Sequence, residues 1–343
     1  MDRSIRLAVL GAGFWAPFQI AAWQELEGTS VVGIYNRDVG KARAVAARCG
    51  IQVFDGDPER LINKVSPDAV DIVTSPGSHV RMVQLAAQFG HPVVVQKPMA
   101  DSLSAAEQMA AECRERSVPL YVHENFRWQR PIRRLQALVE FGVIGVPFRA
   151  RLTFSSAFPV FDNQPSLREL DRFILMDVGP HILDVSRFLF GEMTSVACST
   201  HRIDRRIRGE DVATVLLESR SGVTVVCELS YASRLEREAF PETLILVEAD
   251  RGSASLSHGG VIKVTTAAGT RAERVPVPEY SWADPAYAAV HASIVDCNRN
   301  LLAALRGEGQ AETTAADNIE TLRLVDAAYR SAASGDVSKL AGA

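Results

Sequence analysis

The chain has 343 residues, 47% of them hydrophobic and 23% charged, which is the usage of an ordinary globular protein and enough for about two cores. A formal charge of −4 gives no electrostatic reason to expect nucleic acid or an anionic membrane as partner, and the basic clusters at 130–134 and in HRIDRRIR (201–208) read as solvated faces. The five cysteines are odd in number, widely spaced and without a CxxC, which speaks against a disulfide frame or a zinc site and for free thiols in a reducing, cytoplasmic setting with no metal.

MDRSIRLAVLGAG runs directly into a strand-like segment, without the apolar core and cleavage site of a signal peptide. No apolar run approaches the ~20 residues of a membrane span. Along the first third, apolar runs at 5–10, 30–35, 69–74, 92–95 and 120–122 alternate with helical windows near 16–26, 40–49, 78–89 and 104–116. That rhythm predicts a parallel sheet covered on both faces.

After residue 123 the rhythm changes. Helices are expected at 131–141 and 182–190, and strands dominate from 195 to 268. TVLLESRSGVTVVCELSYA reads as a hairpin turning at Ser221 and Gly222, and ETLILVEADRGSASL and IKVTTAAG continue the meander. Two helices, near 285–306 and 312–334, close the chain. The expected fold class is α/β: a doubly wound parallel sheet over 1–123, then a substrate-binding and oligomerisation domain over 124–343 with a mostly antiparallel sheet. With no repeat, low-complexity tract or flexible linker, the two domains are expected to pack together, the crevice between them being the natural site.

VLGAGFWAPF places Gly11 and Gly13 after the first strand and before a helix, with Phe14 and Trp15 in the same turn. Gly11 permits the tight turn, Gly13 lets the backbone approach a pyrophosphate, and the helix N-terminus offers its N–H groups. Ala16 stands where the third glycine of the fingerprint falls, and Pro17 suits a first helical turn. At the end of the second strand, where an acid would bind the ribose 2′-OH of NAD, the chain has Asn36, then Arg37, which could pair with a 2′-phosphate, and Asp38. The cofactor is therefore NAD or NADP. Ser75 and Pro76 follow the run at 69–74 beside the expected cofactor, with His79 expected near it in the next helix's first turn, where a capping role for Ser78 is the competing explanation.

The stretch VVVQKPMA ends a buried strand on Gln96, Lys97 and Pro98. Parallel strands emerge at their carboxyl ends over the crevice where a nicotinamide would lie, so Gln96 and Lys97 are expected beside the cofactor, and an ammonium there can hydrogen-bond a substrate hydroxyl and favour its deprotonation. In MDVGPHILD, Asp177 and His181 are four apart and share a helix face. Either Asp177 caps and His181 packs, or His181 acts as general base with Asp177 orienting it, the helix N-terminus favouring a neutral imidazole. Arg127, Trp128, Asn163, Gln164 and Trp282 either line a sugar-sized cavity or pack in the core.

GAGFWA, QKP and DVGPH in this order, with an antiparallel sheet behind, resemble the Gfo/Idh/MocA family of NAD(P)-dependent oxidoreductases over nearly the whole chain. The resemblance implies a Rossmann domain and a C-terminal α/β domain whose open sheet mediates a homodimer or homotetramer. It implies Lys97 and His181 acting on a sugar or polyol hydroxyl with Asp177 beside them, and a cis bond at Lys97–Pro98. QIAAWQE, HENFRWQ, FPVFDNQP, RGEDVATV and WADPAYAAVHASIV are similar to the family's bacterial D-apiose dehydrogenases, which oxidise a branched pentose at its anomeric carbon to the lactone. Gln96 stands where the family usually has glutamate. The same fold also implies alternatives: an NAD-dependent glycoside hydrolase, a cofactor-binding regulator without turnover, or a dehydrogenase for another aldose or an inositol.

Overall fold

The computed structural model describes residues 4–340. In chain order its elements are β1 (Ile5–Leu10), α1 (Ala16–Gln24), β2 (Thr29–Tyr35), α2 (Val39–Cys49), β3 (Phe54–Asp55), α3 (Pro58–Val65), β4 (Ala69–Ile72), α4 (His79–Gln88), β5 (Val93–Gln96), α5 (Leu103–Glu115) and β6 (Leu120–His123). There follow α6 (Arg130–Glu140), β7 (Pro147–Ser155), the single turns α7 (Val160–Asn163) and α8 (Ile174–Asp177), α9 (Gly179–Phe190), β8 (Met193–His201), β9 (Val212–Ser219) and β10 (Thr224–Ser230). The chain ends with β11 (Leu244–Ala249), β12 (Gly252–Ser257), β13 (Val261–Thr266), β14 (Gly269–Arg274), α10 (Ala288–Arg306), α11 (Ala315–Ser334) and β15 (Ser338–Lys339).

Two compact units result: Met1–Asn125 with Glu279–Glu320, and Phe126–Pro278 with Thr321–Ala343. A division at 123/124 does not contain the return of 279–320 to the first unit. That return follows from α10, which packs on α1, β1 and β6.

In the first unit, the described residues form a six-stranded sheet in the order β3-β2-β1-β4-β5-β6, all pairs parallel. This is the doubly wound order, which reverses between β1 and β4. Residues 69–72 of β4 and 93–96 of β5 are buried throughout, because helices cover both faces of such a sheet. Strand β3 and helix α3 are additions to the expected elements: β3 is only two half-buried residues, while α3, eight residues long, carries Asp57 as cap, Pro58 in its first turn and buried Leu61, Ile62 and Val65.

In the second unit, the described residues form a nine-stranded sheet, β14-β13-β12-β11-β7-β10-β9-β8-β15. All its neighbours are antiparallel except β7 with β10. Strand β7, unanticipated, alternates exposed Arg149 and Arg151 with buried Ala150, Leu152 and Phe154. Helix α9 packs on β7 and β10, and its Ser186 hydroxyl lies 3.4 Å from Cys227 Sγ. The long hairpin turns at Gly222, whose φ of +84° favours glycine.

Candidate active site

Four neighbouring strands of the first unit bring their carboxyl ends together, as a parallel sheet must. Gly11–Trp15 follow β1, Asn36 and Arg37 follow β2, Thr74–Pro76 follow β4, and Gln96 and Lys97 end β5. Gly11 has φ +126°, and a Cβ there would stand 2.5 Å from the Val73 carbonyl carbon and oxygen, so no other residue fits. Gly13 is the opposite case. Among the described residues no heavy atom lies within 4 Å of where its Cβ would be, leaving the backbone open to a close neighbour.

These residues fit a dinucleotide. Besides the open approach at Gly13, Thr74 Oγ1 and Trp15 Nε1 are buried polar atoms without a hydrogen-bond partner among the described residues, beside the glycine turn. Pro17 sits in the first turn of α1, and Phe14 is half exposed ahead of it. Asn36 Oδ1 accepts from Ala12 N (3.3 Å) and its Nδ2 donates to Asp38 O (3.1 Å), which ties the end of β2 to the glycine turn. Asp38 caps α2 by accepting from Gly40 N (2.9 Å) and Lys41 N (3.3 Å), while Arg37 is exposed. Ser75 is exposed and Pro76 half-buried; the Ser78 hydroxyl donates to Ser75 O (2.8 Å) and does not cap α4.

Two residues expected at the cofactor face inward instead. His79 is wholly buried, with Nδ1 3.0 Å from Pro98 O and Nε2 3.0 Å from Thr74 O, so its imidazole ties the end of β4 to the segment after Lys97. Burial lowers its pKa, keeping it neutral. Gln96 directs its amide into the core, where Nε2 donates to Gln19 Oε1 (3.3 Å) and Oε1 accepts from Lys97 N (2.9 Å). Lys97 itself is half-buried, and the Lys97–Pro98 bond is cis.

In the second unit, Asp177 ends α8 and His181 is the third residue of α9. Val178 between them keeps helical angles, so the four-residue spacing survives the junction. His181 is 7% exposed and stacks on Phe126, with ring centroids 3.8 Å apart and planes inclined by 13°. Asp177 Oδ2 accepts from Tyr231 OH at 3.4 Å, and burial together with this carboxylate pushes the phenol well above its usual pKa. Glu210 anchors the start of α8: its carboxylate accepts from Phe173 N, Leu175 N (3.1 Å) and Tyr329 OH (2.7 Å).

Arg127, expected at substrate, is a correction. It is 6% exposed and paired with wholly buried Asp184 through Nε to Oδ2 (2.8 Å) and Nη2 to Oδ1 (2.5 Å). A guanidinium so enclosed holds the Phe126–Trp128 turn against α9. Trp128 is half-buried under Arg133, whose Cζ lies 4.3 Å above its ring. Asn163, the last residue of α7, is exposed and Gln164 after it half-buried, and Phe161 ties α7 to Phe173 (5.2 Å between ring centroids). Trp282 belongs to the first unit, donating to Glu25 Oε1 (2.9 Å) and stacking on Tyr280.

Phe126, Tyr231 and Glu210 were missed in the sequence. Phe126 lies inside HENFRWQ and Glu210 inside RGEDVATV, two of the stretches that carried the resemblance, and Tyr231 lies just after β10, a position beside a predicted element. Among the described residues no group of three or more His, Cys, Asp or Glu is placed to hold a metal, and no helix is long and apolar enough to cross a membrane.

The doubly wound sheet, the glycine turn and the lysine at a central strand end define a dinucleotide-binding oxidoreductase. Residues 5–124 match the oxidoreductase family with an NAD-binding Rossmann fold, and residues 132–255 match the Gfo/Idh/MocA C-terminal domain. The chain belongs to the Gfo/Idh/MocA family of NAD-binding oxidoreductases. It is 41% identical over 333 residues to a D-apiose dehydrogenase of Paraburkholderia graminis, covering 97% of this chain and 89% of that protein. It is 40% identical over 328 residues to a D-apiose dehydrogenase of Rhizobium rhizogenes, covering 96% and 95%. A crystal structure of an oxidoreductase from Agrobacterium radiobacter in complex with NAD+, L-tartaric acid and magnesium matches it with TM-score 0.95 and 39% identity over 98% of each chain.

Proposed function

We propose that this protein is an NAD(P)-dependent sugar dehydrogenase that oxidises the anomeric hydroxyl of an aldose, D-apiose, to its lactone. The observation that carries this reading is the nearly full-length match to D-apiose dehydrogenases from two bacteria. Gly11, Gly13 and the β2 and β4 ends would hold the dinucleotide, and bound nicotinamide supplies the acceptor for the C1 hydrogen and its electron pair.

The chain's own residues manage the hydroxyl. His181 takes its proton at an imidazole nitrogen, the ring plane being set by Phe126. Lys97 donates to the same oxygen and stabilises the charge that develops there. Asp177 holds the imidazole, and Tyr231 in turn orients Asp177. Loss of a proton from oxygen and a hydride from C1 leaves a C1 carbonyl, which in the ring form of the sugar is the lactone.

The enzyme acts in the cytoplasm as a homodimer or homotetramer. Five cysteines, odd in number and spread along the chain, suit a reducing compartment. The outward face of the nine-stranded sheet carries a row of Leu246, Arg151, Val226 and Leu216 across β11, β7, β10 and β9. Leu216 is 45% and Leu246 37% exposed, a surface suited to pairing with a second copy.

The test is absorbance at the reduced-nicotinamide band, with NAD+ or NADP+ and a panel of free sugars that includes D-apiose. A rise with D-apiose well above the other pentoses is the expected result. No rise with any sugar, despite measurable cofactor binding, favours a regulator or an NAD-dependent glycoside hydrolase instead.

A further inference from the structure

The buried polar side chains of the first unit form a chain with a direction. Asp71, on β4 between β1 and β5, is wholly buried, and its carboxylate accepts from Trp23 Nε1 (2.7 Å) and from Gln19 Nε2 (3.1 and 3.3 Å). Gln19 Oε1 then accepts from Gln96 Nε2 (3.3 Å), and Gln96 Oε1 accepts from the Lys97 backbone N–H (2.9 Å). His123 Nδ1 lies 3.5 Å from the same Gln96 nitrogen. Gln19 and Trp23 are wholly buried, and Gln96 is 9% exposed.

An ionised carboxylate only accepts. It therefore turns the Gln19 amide nitrogen toward itself and the Gln19 oxygen toward Gln96. The same choice passes to Gln96, whose oxygen is left to face Lys97. We propose that Asp71 is a positioning residue for Lys97, acting through Gln19 and Gln96, whose amide orientations it sets. This rests on the reading of Lys97 as the group that meets the substrate oxygen.

The polarity argument makes an unusual demand on variants. In Asp71→Asn, the Asn amide serves Trp23 with its oxygen and presents its nitrogen to Gln19. Gln19 flips to meet it, Gln96 flips in turn, and an amide nitrogen then faces the Lys97 N–H. In Gln96→Glu alone, a second carboxylate faces the Gln19 oxygen. In the double variant every group is satisfied again: flipped Gln19 donates to the carboxylate introduced at position 96, which also accepts from Lys97 N. One charge has moved from position 71 to position 96.

Two readouts test this, both well above neutral pH. Burial pushes the Asp71 carboxyl up to about 7, so it is ionised there. The Gln96–Lys97 peptide is the one Gln–Lys pair in the sequence. Labelling glutamine carbonyl carbon and lysine nitrogen therefore isolates the Lys97 amide in an NMR spectrum of the full chain without sugar; in variants at position 96 the label is placed on glutamate carbonyl carbon instead. That signal should shift in each single variant and return toward its wild-type position in Asp71→Asn/Gln96→Glu. With D-apiose, kcat should fall about tenfold in each single variant and recover to within about threefold in the double one, a non-additivity that independent structural damage would not produce.

If Asp71→Asn does not fold, Gln19→Leu interrupts the same chain one link later and must move the Lys97 amide. An amide unmoved by these variants, or a double variant no better than the singles, overturns the relay. An amide that moves while kcat stays at the wild-type value overturns the role of Lys97, and the proposal with it.

Discussion

The His181 imidazole lies flat on the Phe126 ring, 3.8 Å between centroids and 13° between planes. A flat stack sets the plane of the imidazole and so the direction in which its nitrogens point. Phe126→Leu keeps the apolar bulk and removes the plane. Its kcat should fall about tenfold, with KM for the sugar nearly unchanged, because positioning is lost and not binding. Steady-state kinetics decide it: an unchanged kcat means the stack is packing alone.

Lys97→Ala should lower kcat by roughly 100-fold or more, the scale of lost electrostatic and acid–base help. A variant with wild-type turnover would remove Lys97 from the mechanism.

Arg127, paired with Asp184, makes a different prediction from that of a residue lining a sugar cavity. Removing one partner of an enclosed, bidentate pair leaves an uncompensated charge, which costs about 3–5 kcal/mol. Arg127→Ala should therefore lower stability by that amount in urea unfolding. Arg127→Met with Asp184→Leu should lose less than either single change. A fully stable Arg127→Ala with a raised sugar KM would return Arg127 to the substrate.

The two glycines of the first turn separate fold from binding. Gly11→Ala drives a methyl group into the Val73 carbonyl from a positive φ, so thermal stability should drop. Gly13→Ala meets nothing among the described residues, so stability should hold while dinucleotide affinity falls about tenfold or more. Calorimetric titration with NAD+ and NADP+ reads the second effect, and equal affinities for wild type and Gly13→Ala would place the pyrophosphate elsewhere.

Asp71 also predicts a pH dependence of stability. Its carboxyl is raised from 3.8 to about 7, first by burial, with Trp23 and Gln19 pulling it back. Between those values the folded chain binds more protons than the unfolded one, so stability falls as pH rises from about 4 to about 7, by up to roughly 1.4 kcal/mol per pH unit. His79 and His291, lowered by burial, contribute with the opposite sign. The difference between wild type and Asp71→Asn isolates the carboxylate, and a flat difference across that window would mean Asp71 stays ionised throughout.

Much of the first unit was legible because its signals are local. IRLAVL and VVVQ are apolar runs of strand length, GAG needs a tight turn, and Pro17 suits a first helical turn. The sheet partner of β7 was not legible. FRARLTFS shows only the two-residue alternation of a strand, and that alternation does not say whether a neighbour some seventy residues later runs parallel.

The sequence by itself determined the order and type of most elements, the dinucleotide turn, and the four-residue spacing of Asp177 and His181, since period and turn chemistry act over a few residues. Only the tertiary structure decided where buried polar groups spend their hydrogen bonds. Arg127 finds Asp184 57 residues away, His79 finds two carbonyls, and Gln96 finds Gln19 77 residues away. A buried donor must be satisfied by whatever the fold brings to it, and that neighbour is set by the packing of distant elements, not by the residues on either side.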